Sequence, residues 1–254
     1  AADRAAGLRP VAVAASAGTV NTGAIDPLNE IADLCSAEGL WLHVDGSYGG
    51  VGILAEQTQG LYTGIERADS LAMDPHKWLY VPVECGCVLV RDAQAMRDTF
   101  SLVPPYLRDD RALPWFAEFG VQQTRGFRAL KLWMTIQQIG VSGYAELIRR
   151  DIDLARSLQA RIRQRSDFEL LAAGPLSITC FRYCPPEAAP NQLDELNRAL
   201  LEVTQQEGQV FLTSTSLREQ VALRACIVNF RTTEADLDFL LETLAAAGQR
   251  VLTA

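Results

Sequence analysis

The sequence predicts an α/β protein, with a mostly parallel sheet within residues 1–140 and a smaller α+β domain over residues 141–254. Three observations carry this reading. The first half alternates short β-rich runs with helical patterns, the arrangement that builds parallel sheets through crossover connections. The second half changes texture, to strand-like runs separated by two amphipathic segments. The length of 254 residues, 48% hydrophobic and 21% charged, suffices for one large core with an appendage.

Taken in order, residues 11–15 form an apolar strand that ends in the turn Ser16-Ala17-Gly18-Thr19. Asp26-Pro27 reads as a helix start, with a capping carboxylate and proline at the first helical position. Leu28, Ile31, Ala32 and Cys35 then make one buried stripe, and Gly39 is placed to end that helix. Strands follow at 40–44, 69–73 and 85–90. The pair Cys85 and Cys87 reads as small residues within the last of these, because it lacks the spacing and partners of a zinc motif. Residues 100–124, with Pro104-Pro105 and Pro114, form a long connection without clear periodicity, a feature that is often functional. Helices are predicted at 127–139, 142–165, 191–206 and 233–247, and strands at 168–172, 176–183, 209–213 and 221–228.

Composition narrows the function classes. The formal net charge of −8 argues against nucleic acid or an anionic membrane surface as a partner. No apolar run approaches the roughly 20 residues of a spanning helix. Six cysteines in a chain of this length point to reduced thiols and a cytoplasmic home. The first residues lack a secretory pattern and read like the middle of a protein, so the chain is expected to be a fragment or a processed product.

Two constellations carry chemistry. Asp45, in His43-Val44-Asp45-Gly46-Ser47-Tyr48-Gly49-Gly50, ends a buried strand where α/β sheets place ligands, although a simple turn carboxylate reads equally well. The glycines around it allow a flat ligand close to the backbone. Lys77, in Met73-Asp74-Pro75-His76-Lys77-Trp78, is one of only two lysines, the other being Lys131. It reads either as a solvated surface lysine or as an amine nucleophile desolvated by bulky neighbours. Beside it, His76 can stack on or hydrogen-bond a bound ring. An amine and a carboxylate at two strand ends suit pyridoxal phosphate, the lysine forming the imine and the acid holding the pyridine nitrogen protonated.

These segments, with Gly18-Thr19-Val20-Asn21-Thr22-Gly23-Ala24-Ile25-Asp26-Pro27, Leu223-Arg224 and Asn229-Phe230-Arg231-Thr232-Thr233, resemble the group II pyridoxal-dependent decarboxylases, the family of aromatic L-amino acid and glutamate decarboxylases. The resemblance implies fold type I, the aspartate-aminotransferase-like PLP-dependent transferase fold, here a partial large domain with its small domain. It implies that Lys77 is the Schiff-base lysine, that Asp45 partners the pyridine nitrogen and that His76 lines the cofactor pocket. Ser47 then lies against the ring and Asp74 near the phosphate, while Val20 stands where many members carry a hydroxyl. Tyr106, in the 100–124 loop, matches a mobile tyrosine that returns a proton to the substrate α-carbon. Arg224 matches a small-domain arginine that holds the substrate carboxylate. Arg128 and Lys131 read as scaffold, and His43 lies too deep in the sheet to stack on a ring. The implied activity is decarboxylation of an L-amino acid, aromatic slightly favoured, by a homodimer with pyridoxal 5′-phosphate. The alternatives are another enzyme of the same fold (aminotransferase, aldehyde synthase or lyase) and a catalytically silent scaffold.

Overall fold

The computed structural model describes residues 2–104 and 115–253. Its first sheet has the order β1 (Ala12–Ser16), β2 (Trp41–Asp45), β3 (Ser70–Met73) and β4 (Cys87–Val90). The first three strands run parallel, and β4 pairs antiparallel with β3. The second sheet is antiparallel, built from β5 (Phe168–Ala173), β6 (Ile178–Tyr183), β7 (Thr213–Leu217) and β8 (Gln220–Cys226) in the order β5-β6-β8-β7. Among the described residues, six α-helices accompany them: α1 (Ala2–Ala5), α2 (Leu28–Glu38), α3 (Ala93–Phe100), α4 (Arg128–Gln164), α5 (Leu193–Glu207) and α6 (Glu234–Thr253). Among the described residues, no helix is long and apolar enough to cross a membrane.

Helix α2 links β1 to β2 and buries Leu28, Ala32 and Cys35 against Ala15, Leu42 and Val44. It ends at Gly39, whose left-handed φ of 64° lets its amide close onto the Cys35 carbonyl. The helix start differs from expectation. Pro27, not Asp26, precedes the first helical residue, and no side chain caps it. The Asp26 carboxylate instead accepts the Ser16 amide at 2.7 Å, while the Asp26 amide donates to the Ser16 carbonyl at 2.9 Å. A carboxylate can serve only the donors its backbone aims it at, and here the end of β1 is nearer.

Between β2 and β3 the chain crosses over through three 3₁₀ segments, Gly50–Leu54, Glu56–Tyr62 and Ile65–Arg67, rather than an α-helix. Four glycines within residues 50–64 weaken helix formation here. Cys85 precedes β4 rather than belonging to it. Its backbone is engaged by His76 instead. Helix α3 is capped by Asp92, which accepts the Gln94 and Ala95 amides. Within the described part of the 100–124 connection, Phe116–Phe119 forms a 3₁₀ turn tied to α3 by Arg97–Glu118 and Ser101–Glu118 contacts. Tyr106 lies outside the described residues.

The helices expected at 127–139 and 142–165 form one element, α4, interrupted at Gly140, where φ is 71° and ψ 166°. The strand expected at 209–213 is displaced to Thr213–Leu217. Its hairpin turns at Arg218 and Glu219, both with positive φ. Helices α4, α5 and α6 pack on the second sheet around Leu158, Phe181, Leu200, Leu223 and Leu244. A further cluster joins the two sheets. Tyr48, Trp78 and Leu79 meet Tyr144, Ile148, Ile152, Leu176 and Ala222 there, so residues on both sides of position 140 share one core. Burying a side chain of leucine size contributes about 1.5–3 kcal/mol.

Candidate active site

The site grows from the carboxyl edge of the first sheet. Asp45 ends β2 opposite Ala72 of β3. The Gly46 amide donates to the Ala72 carbonyl at 2.9 Å, and the Asp74 amide donates to the Ser47 carbonyl at 3.2 Å. These bonds stitch the turns that follow two adjacent parallel strands. Asp45 and Lys77 therefore lie at one end of the sheet, the end at which open α/β sheets bind ligands. The end of β1 joins them, with the Ala17 amide on the Asp45 carbonyl at 2.8 Å.

Asp45 Oδ1 accepts the Ser47 amide at 3.0 Å and the Ser47 hydroxyl at 2.6 Å. These hydrogen bonds, above all that from the hydroxyl, hold its carboxyl below the ordinary carboxylate range, and the positive charge of Lys77 adds to the effect. Both bonds from Ser47 go to Oδ1. Ser47, expected against a ring, thus turns its hydroxyl to Asp45.

Lys77 sits in a turn opened by Asp74-Pro75, with its amide on the Asp74 carbonyl at 2.9 Å. Its Nζ lies 2.9 Å from Asp74 Oδ2, and its side chain is 37% exposed. The bulky neighbours do not enclose the amine, and Asp74, expected near a phosphate, faces it as a counter-ion. His76 Nδ1 lies 2.9 Å from the carbonyl oxygen and 3.2 Å from the amide nitrogen of Cys85. Either tautomer finds a partner there, so the half-buried imidazole is anchored beside the lysine.

Arg224, on β8, donates from Nε to the Val20 carbonyl at 2.7 Å. This bond joins the second sheet to the loop after β1, so Val20 contributes its backbone where a hydroxyl was the family expectation. His43 Nδ1 lies 2.8 Å from Ser70 Oγ, which also accepts the Trp41 indole N–H at 2.8 Å. Arg128 pairs with Glu84, and Lys131 Nζ donates to the carbonyls of Pro82 at 2.9 Å and Glu84 at 2.6 Å. Both act on the loop before β4.

Two of the glycines near the site serve close packing. A Cβ on Gly18 would stand 2.6 Å from Gly49 Cα, and one on Gly49 would stand 2.6 Å from the Ala17 carbonyl oxygen. They let two loops and Leu176 pack together, whereas a Cβ on Gly50 would meet nothing within 4 Å. No sequence pattern announces the support behind Lys77. Tyr48 stacks on Trp78 with centroids 5.1 Å apart and planes 8° from parallel, and its hydroxyl meets Ser177 Oγ at 2.7 Å. Burial pushes the Tyr48 hydroxyl well above its ordinary value.

Comparison with known proteins identifies the family. Residues 1–184 match the model of the pyridoxal-dependent decarboxylase conserved domain. The chain is 40% identical over 254 residues to an aromatic-L-amino-acid decarboxylase of Bacillus atrophaeus, covering 98% of this chain and 53% of that protein. The crystal structure of Oryza sativa TDC with PLP and tryptamine superposes with a TM-score of 0.91 at 29% identity, covering 98% of this chain and 52% of that one. That of Rhodiola rosea 4-hydroxyphenylacetaldehyde synthase does so with a TM-score of 0.86 at 28% identity, over 98% and 51%. The chain spans about half the length of these relatives.

Proposed function

Because the chain belongs to the pyridoxal-dependent decarboxylase family, we propose that it serves the pyridoxal 5′-phosphate-dependent removal of the α-carboxylate from an L-amino acid, giving an amine and carbon dioxide. Aromatic substrates are favoured, as the aromatic-L-amino-acid decarboxylase similarity supports. The observation that carries the proposal is the placement of the Lys77 amine and the Asp45 carboxylate at the same edge of adjacent parallel strands.

The donor set suits the cofactor. A carboxyl held below its ordinary range, with one oxygen free of Ser47, is an acceptor for a protonated pyridine nitrogen. When bound, pyridoxal phosphate supplies an electron sink for bond cleavage at the substrate α-carbon. Lys77 would hold its aldehyde carbon covalently, with Asp74 taking up the ammonium whenever the amine is released. His76 and Ser47 would line the pocket, His76 fixed by Cys85. Arg224 would hold the substrate carboxylate, and Tyr106 would return the proton to the α-carbon. The exposed apolar residues at the start of α4, Trp133 and Met134, with Phe127 just before the helix, suit a second copy, and we assign the enzyme as a homodimer. The six free cysteines suit the cytoplasm.

The test is to incubate the protein with pyridoxal phosphate, reduce with borohydride and map the labelled peptide. Label on Lys77, lost in Lys77→Ala, is the expected result. No labelled lysine would favour a scaffold role and sink the proposal. The superposition with an aldehyde synthase supports a second reading. Products from a panel of amino acids separate the two, since a synthase would give aldehyde in place of amine.

A further inference from the structure

A buried carboxylate stands behind the lysine turn. Asp151, on α4, is 1% exposed, and its Oδ2 accepts the Trp78 indole N–H at 2.8 Å and the Tyr80 hydroxyl. On the same helix the Tyr144 hydroxyl donates to the Leu79 carbonyl at 3.0 Å. The three residues that follow Lys77 are therefore each held by α4, two through side chains and one through its carbonyl.

The grip has a backbone correlate. Tyr80 has φ of 55°, a left-handed conformation that a bulky residue keeps only when its surroundings impose it. Those surroundings are Asp151, the Phe230 ring at 5.7 Å edge-on, and the Tyr80 amide bond back to the Lys77 carbonyl at 3.3 Å. Arg150, beside Asp151, is spent elsewhere, on the carbonyls of Phe230 at 3.1 Å and Thr232 at 2.8 Å. Asp151 thus meets hydrogen-bond donors rather than a paired cation. Burial raises its carboxyl, and the two donors offset part of that rise. An asparagine here could still accept from both donors, but it would remove the negative charge and place an amide donor where a carboxylate oxygen stands.

We infer that Asp151 is a positioning residue for Lys77: through Trp78 and Tyr80 it fixes the 77–80 turn, and with it the point from which Nζ reaches the cofactor. The inference rests on the reading of Lys77 as the attachment site. It gives a side chain 74 positions downstream a role in the chemistry at the sheet edge.

The test uses the holoenzyme, with pyridoxal phosphate bound, in Asp151→Asn, Tyr80→Phe and Leu158→Ala forms. Leu158, about two turns along α4 from Asp151, lies in the separate core of the second sheet rather than in the cluster that holds Trp78, and reports general destabilisation. Asp151→Asn is expected to move the pH profile of the bound cofactor's visible absorbance by about half a unit. It should also lower kcat on the order of tenfold at a nearly unchanged KM, since misplacing a reacting group costs rate. Tyr80→Phe should move both in the same direction by less, whereas Leu158→Ala should lower Tm and leave the profile in place. If Asp151→Asn and Tyr80→Phe keep the wild-type profile and kcat, the inference is overturned. Should Asp151→Asn not fold, an unchanged profile in Tyr80→Phe overturns it alone. Wild-type protein that takes no label at Lys77 removes the functional reading first, and the inference with it.

Discussion

Ser47 donates twice to Asp45 Oδ1, from its amide at 3.0 Å and from its hydroxyl at 2.6 Å. The serine therefore helps hold the acid below its ordinary carboxylate range as well as filling space. Asp45 has its carboxyl lowered in the folded protein. Its contribution to stability is complete above the unfolded-state value of about 3.9 and is lost as the pH falls through the lower folded value. Ser47→Ala removes the shorter bond and lets the carboxyl rise. The acid limb of cofactor binding, read from visible absorbance against pH, should then move to higher pH. Superimposable limbs for wild type and variant would rule this out.

Gly18 and Gly49 touch backbone to backbone. Gly18 has φ of 100°, and an added Cβ would come within 2.6 Å of Gly49 Cα. Gly18→Ala is expected to destabilise the protein by about 1–3 kcal/mol, combining left-handed strain with overpacking. Denaturant midpoints measure this, and an unchanged midpoint would contradict it.

The β7–β8 hairpin turns on Arg218 and Glu219, with φ of 50° and 66°. Both are left-handed, a conformation that favours Asn-Gly in two-residue hairpins. Replacing the pair by Arg218→Asn and Glu219→Gly should raise stability by about 1 kcal/mol, because left-handed strain is relieved. A fall in Tm would count against the turn as described.

Tyr106, proposed to return the proton to the α-carbon, gives a product test. Tyr106→Phe should cut amine formation on the order of a hundredfold, the usual scale for losing a general acid. Consumption of the amino acid by other routes should persist. Undiminished amine production would remove the tyrosine from the reaction.

Much of this architecture is legible in local pattern. The stripe Leu28, Ala32 and Cys35 with its terminating Gly39 marks α2, since helix period and left-handed freedom are local properties. The motifs around Asp45 and Lys77 likewise mark strand ends. The β7 strand is less legible, because its Thr-Ser-Thr-Ser-Leu run is polar and its turn carries neither Gly nor Asn. Helix α3 is announced only by Asp92, a single capping residue.

By itself, then, the chain's order of residues determined the two-sheet α/β plan, the family and the candidates at the two strand ends, all of which depend on short-range periodicity and contiguous motifs. Folding alone decided what those candidates touch. Asp26 serves Ser16 instead of its own helix, Asp74 faces Lys77, and Asp151 reaches Trp78 across 73 positions of chain. Such pairings depend on which surfaces the core brings together, and a hydrogen bond with a reach of about 3 Å carries no trace in sequence spacing.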